Sequence, residues 1–234
     1  MSSRKTMRAR RGGADGPAVA SGATGNAPRV AVAQAAAQLI AEGLTDYRAA
    51  KQKAAKQLGL SGSDRDALPD NSEIEAALAE HHALFAADSQ PVALRALREA
   101  GLRAMQWLHQ FSPWISGPVL SGTANEFSAV ELDLVGVDEK TFEMFLLNED
   151  VIFELQGGST TGTGGHAPHR KRAAGGPADQ PIRFDITFDD APVEITLFES
   201  QNARLTAFPK TSNRYDRAQL DEARERFGIV SNPN

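Results

Sequence analysis

The sequence predicts an α+β protein, with an all-helical first half followed by a small mixed sheet. Three observations carry that reading. Apolar residues recur at three- and four-residue spacing up to about Phe111. Beyond Ser112-Pro113 the period drops to two, the alternation of a half-buried strand. Short apolar runs separated by Gly, Asp and Asn then fill most of the remaining chain. With 234 residues, 41% of them hydrophobic, there is material for one large core or two small ones.

Residues 1–27 are rich in Arg, Gly, Ser and Ala, with Arg4, Lys5, Arg8, Arg10 and Arg11 ahead of the first acid, Asp15. They are expected to form a disordered basic tail, and without an apolar run behind the charges they do not match a secretory signal. A helical domain is expected over 28–112. Asn26 can cap its first helix, with Pro28 in the first turn and Gly43 at the end. Thr45 is placed to cap a second helix over 46–58, with Tyr47, Ala50, Ala54 and Leu58 as its buried stripe. A third helix starts at Asn71 or Ser72 and buries Ile74, Leu78 and Phe85. The fourth opens at Pro91 and runs to about Phe111 on a stripe of Leu94, Leu97, Gly101, Met105 and Leu108. Arg95, Glu99 and Arg103 have i,i+4 spacing. The adjacent His81 and His82 diverge by about 100° on a helix, so they form no ligand pair and are expected at the surface. Trp107 and Trp114 bracket the junction and are expected to pack there.

The second half, 113–228, gives strands at 116–121, 129–135, 151–155, 182–188 and 193–198, the last two joined as a hairpin at Asp189-Asp190. Asp138 caps a helix over 139–147, and 216–227 forms a terminal helix stopped by Gly228. Residues 157–181, dense in Gly and Thr, are expected to be a flexible loop carrying the basic run His169-Arg170-Lys171-Arg172. The stretch Gly157–Gly165 lacks the Lys-Ser/Thr pair of a phosphate-binding P-loop.

Composition limits the chemistry. The absence of cysteine excludes disulfides, thiolate metal sites and a cysteine nucleophile. A net charge of -5 argues against bulk nucleic-acid binding, and no apolar run approaches the ~18 residues of a membrane span. A cytoplasmic protein is the expectation.

The pattern that carries chemistry is Val119-Leu-Ser-Gly-Thr-Ala124, followed by Val130-Glu-Leu-Asp-Leu-Val135. Glu131 and Asp133 stand at i and i+2, hence on one face of a strand. Glu194 lies in a later apolar strand, where a carboxylate is costly unless paired or bound to a metal. Gly122 before Thr123 lets backbone N–H groups come close to a phosphate.

Over roughly 116–198 this arrangement resembles the nucleotidyltransferase superfamily, whose pattern is a strand ending in Gly-Gly or Gly-Ser, a carboxylate pair on the next strand and a third carboxylate later. Thr123 stands where the family carries Ser, Glu131 where it carries Asp, and the gap Ala124–Val130 is short. The resemblance implies that Gly122 and Thr123 hold a nucleoside triphosphate, and that Glu131, Asp133 and Glu194 bind Mg²⁺ and act as the catalytic carboxylates. Arg170, Lys171 and Arg172 would clamp the phosphate tail. The implied activity is nucleotidyl transfer to a protein or small-molecule acceptor. The alternative is a binding or regulatory module that keeps the fold and has lost catalysis; a purely structural helical interaction protein is the third. If the carboxylates face one another unpaired, Asp133→Asn should relieve repulsion and leave thermal stability unchanged or higher.

Overall fold

The computed structural model describes residues 27–44, 46–60, 68–156, 170–172, 181–210, 212 and 214–229, with the backbone alone at 170–172. The basic tail up to residue 26, the glycine-rich stretch 157–165, His166 and His169 lie outside the described residues, as do the side chains of Arg170, Lys171 and Arg172.

The chain is α+β, as the change of period predicts. Helices α1 (Ala27–Ala41), α2 (Tyr47–Gln57) and α3 (Asn71–Phe85) pack on one another around Val32, Ala36, Ala37, Ala50, Ala54, Ile74 and Leu78. Small side chains along α1 and α2 let the axes come close. Asp46, not Thr45, caps α2, accepting from Ala49 N at 2.7 Å. Asp70 caps α3 and exchanges side-chain and backbone bonds with Glu73, a full capping box. Leu58 and Phe85, both expected inside, are 46% and 76% exposed, each at the C-terminal end of its helix. His82 departs in the other direction. It is 6% exposed, and burial lowers its pKa, keeping the ring neutral.

Helix α4 (Ser89–Trp107) ends in a 3-10 turn, His109–Phe111, and does not join the first three helices. Its Leu97, Ala100, Ala104 and Met105 pack into the sheet core, together with Phe142 and Leu146 of α6 (Glu139–Asn148) and Ala223 of α8 (Leu220–Phe227). The helical region expected over 28–112 therefore divides at about residue 88, and its last helix belongs to the sheet. Trp107 stacks on Phe188 and meets Phe145, so it packs as expected.

Among the described residues the sheet has seven strands, in the order β4-β3-β5-β6-β2-β1-β7. They are β1 (Trp114–Ser116), β2 (Val130–Val135), β3 (Phe153–Gln156), β4 (Arg170–Arg172), β5 (Ile182–Phe188), β6 (Ala191–Phe198) and β7 (Arg217–Ala218). β2 runs parallel to β6, and β3 to β4; the remaining pairs are antiparallel. The hairpin between β5 and β6 turns at Asp189-Asp190, with φ +48 and +63, the two positive values of a type I′ turn.

Several expected bounds change. Residues 117–121 are not strand; they form a short helix, α5 (Gly117–Ser121), because Pro118 at its start cannot donate to a ladder. Residues 170–172 form strand β4 rather than loop, and the expected terminal helix gives its first residues to β7. Helix α7 (Gln201–Ala207), capped by Ser200, was not foreseen. Among the described residues no helix is long and apolar enough to cross a membrane.

Candidate functional site

Alternation along the strands gives the sheet one apolar and one polar face. Leu132, Leu134, Phe184, Val193 and Ile195 point to the side of α4, α6 and α8. Glu131, Asp133, Arg183, Asp185, Glu194 and Thr196 take the other. In the parallel pairing of β2 with β6, Glu131 is level with Glu194 and Asp133 with Thr196. The three carboxylates of the predicted trio thus share a face: the i,i+2 spacing requires it of Glu131 and Asp133, and the register of β6 against β2 adds Glu194.

What meets them is an arginine. Arg214, in the segment between α7 and β7, lays its guanidinium among all three. Nε lies 2.8 Å from Glu131 Oε2, Nη2 2.7 Å from Asp133 Oδ1 and Nη1 2.6 Å from Glu194 Oε1. Nη2 also donates to Thr196 Oγ1 at 3.2 Å, and the ring of Phe208 lies 4.4 Å beneath the guanidinium carbon. Arg204 of α7 is fully buried. It donates from Nε to Asp133 Oδ2 at 2.6 Å and from Nη2 to the Arg214 carbonyl at 2.6 Å. One arginine therefore holds both the central carboxylate and the backbone that carries the second arginine. Arg183 reaches Glu194 from its far side, at 3.2 Å.

Asp133 has no solvent exposure, and inside the protein each of its oxygens faces a guanidinium. Taking such charges out of water is costly, and excellent geometry on every oxygen is what offsets the cost. Glu131 is less well served. Burial first, then the nearby charges of Glu194 and Asp133, push its pKa up to about 7 against the pull of Arg214. Those same three carboxylates hold Arg214 firmly charged, overcoming its burial. Gly117 fits around this arrangement: it has φ +68, and a Cβ there would collide with the Glu131 carboxylate. The glycine that ends a strand beside the acids is therefore Gly117, after β1, rather than Gly122.

Gly122 and Thr123 sit at the far end of α5. Gly122 is its left-handed cap, at φ +90, and the N–H groups of Gly122, Thr123 and Ala124 all point to the Pro118 carbonyl at 2.9–3.0 Å. Thr123 is buried, and its hydroxyl pairs with that of Ser121 at 3.0 Å. The backbone donors that the resemblance assigns to a triphosphate are thus engaged within their own turn. β4 places the backbone of Arg170, Lys171 and Arg172 at the sheet edge beside β3, with β5, β6 and β2 following in order.

A cleft of about 410 Å³ lies between the first helices and the polar face. Ile40, Tyr47 and Leu78 line it from the helices, Glu131 from the sheet, and Phe127 and Arg214 from the connections beside it. A second trough of about 360 Å³ continues past Arg214 toward Phe208, so the guanidinium stands between the two. The seam is polar. Tyr47 Oη and Glu75 Oε1 are buried there with no well-formed hydrogen bond among the described residues, and desolvation raises both pKa values against the weaker pull of Thr123 and Ser121, that of Glu75 to about 7.

A divalent cation does not fit this arrangement, because Arg214 already lies among the oxygens that would ligate it. Among the described residues no group of three or more His, Asp or Glu side chains is arranged to hold a metal ion. The arginines that complete the cluster were invisible to motif reading, since Arg204 and Arg214 follow no apolar period and belong to no recognised spacing. The available signal was indirect: carboxylates in apolar strands demand cations, and the segment after β6 is where the chain can supply them. No family model, curated protein or solved structure matches this chain.

Proposed function

We propose that the chain is a nucleotidyltransferase-like module that binds a small ligand in the cleft over its polar sheet face and does not transfer nucleotides. The pairing of all three carboxylates with Arg214 carries this reading. Two-metal phosphoryl chemistry needs carboxylates that hold cations about 4 Å apart, and a general base needs a free carboxylate near its proton. Here Asp133 is held on both oxygens and Glu194 is held from two sides. The cleft supports the binding half of the reading. Its volume is within the ~300–1,000 Å³ of small-ligand sites, and it combines apolar walls with a few convergent polar groups.

Calorimetry and turnover assays on the full chain with the four nucleoside triphosphates, each with and without Mg²⁺, test it. Binding without turnover, perturbed by Phe127→Ala or Arg48→Ala in the cleft wall, is the expected result. Mg²⁺-dependent turnover that Asp133→Asn abolishes would establish the transferase instead.

A further inference from the structure

We propose that Arg214 is a built-in counter-ion, standing where a divalent cation would otherwise bridge Glu131, Asp133 and Glu194. The inference rests on the non-catalytic reading and adds the cause: the chain's own guanidinium fills the cation position. Three features set Arg214 apart from an ordinary surface arginine. Each of its three nitrogens meets a different carboxylate, at 2.6–2.8 Å. It is 8% exposed, and its Nε finds an ion pair with Glu131 but no hydrogen bond among the described residues. Its backbone is fixed independently, by Arg204 Nη2 on its carbonyl, so the guanidinium is delivered by a second buried residue rather than settling there by chance. Thr196 and the Phe208 ring close the remaining sides.

A guanidinium does part of what a metal would do. It neutralises, it is planar, and it presents several donors in fixed directions. It has no empty orbital and no exchangeable water, so it polarises no phosphate and activates no nucleophile. With Arg214 removed, Asp133 keeps Arg204 and Glu194 keeps Arg183, but Glu131 loses the ion pair it has among the described residues. The face then presents three carboxylates around the vacated position, one of them uncompensated, which are the hard oxygen donors a divalent cation takes.

The test uses Mn²⁺, which reports its own binding by loss of the free-ion electron paramagnetic resonance signal. Wild-type full chain should leave Mn²⁺ free, whereas Arg214→Ala should bind one ion per chain at least tenfold more tightly. Adding Asp133→Asn to that variant should remove the gain. Folding is followed by circular dichroism in the same samples. If Arg214→Ala folds poorly, Mn²⁺ and, separately, methylguanidine should each restore the native spectrum, since either supplies the lost charge. The proposal is overturned if wild type binds Mn²⁺ as tightly as the variant, or if folded Arg214→Ala leaves the ion free. It is equally overturned if Mn²⁺ fails to restore a variant that does not fold. None of these outcomes depends on nucleotide turnover. Turnover by the wild-type chain would defeat the non-catalytic reading, while an undiminished free Mn²⁺ signal from folded Arg214→Ala defeats only the counter-ion.

Discussion

Asp133 is the residue on which the polar face depends. Bare repulsion from Glu131 would make its neutralisation harmless or helpful, but two guanidiniums at 2.6 and 2.7 Å reverse that sign. Asp133→Asn leaves Arg204 and Arg214 buried with too little negative charge, and it turns an amide donor toward one of them. The expected loss is about 3–5 kcal/mol, the usual cost of breaking one partner out of a buried ion pair, read by urea unfolding. Gly117→Ala should also destabilise, by ~1 kcal/mol or more, since it meets both a positive φ and the Glu131 carboxylate. Adding Glu131→Ala should recover the steric part and leave the backbone part, so the two substitutions should be measurably non-additive in a double-mutant cycle. Additive losses would mean that the contact does not hold Glu131 in place.

Elements were legible from the sequence wherever a local rule fixes them. The period of 3.6 gave the four long helices, and Asp138 gave the start of α6, where its side chain accepts from Thr141 N at 2.9 Å. Alternation places Glu131 and Asp133 on one face, and the register of β6 against β2 brings Glu194 to the same side. What escaped is what long-range contact decides. α4 sits in the sheet core, with Gly101 closely approached by Ile115 and Val130, and a stripe of apolar residues does not say which core it faces. β7 is two residues long and exists through its pairing with β1. The arginines of the cluster come from a segment with no periodicity. The β5–β6 turn gives a test at this scale. Asp189 and Asp190 both carry positive φ, and Arg103 pairs with Asp189 at 2.6 Å. Asp190→Gly should therefore raise stability by on the order of 0.5–1 kcal/mol, whereas Asp189→Gly should gain less because it discards the ion pair. Thermal melts of the two variants separate these outcomes.

At the scale of the whole molecule, two cores meet across a polar seam. One is built by α1–α3 and the other by the sheet with α4, α6 and α8. The seam holds carboxyls that favour their neutral form. Desolvation pushes Glu75 up to about 7, and burial with its acidic neighbours does the same for Glu131. Each starts from an ordinary value of 4.5. At these two groups the folded chain therefore binds more protons than the unfolded chain between pH 4.5 and 7, and their contribution to stability falls as pH rises through that window, against a smaller opposing term from His82, whose lowered pKa favours the fold as pH rises. Above 7 the penalty is complete. Exposed carboxylates act in the opposite sense at lower pH. Asp70, held down by Ser72 and the Glu73 backbone, and Asp138, held down by Thr141, have lowered pKa values and lose their stabilisation on acidification below the ordinary carboxylate range. The melting temperature should consequently peak on the acid side of neutrality, near pH 5–6, and decline toward pH 8. Glu75 is partly solvated, so its share is on the order of 1–2 kcal/mol, or about 2–6 °C for a chain of this size. Glu75→Gln keeps the shape of the side chain and removes its titration. It should flatten the decline between pH 5.5 and 8 while leaving the acid limb unchanged, and an undiminished slope in that variant would assign the whole effect to the arginine-bound cluster around Glu131.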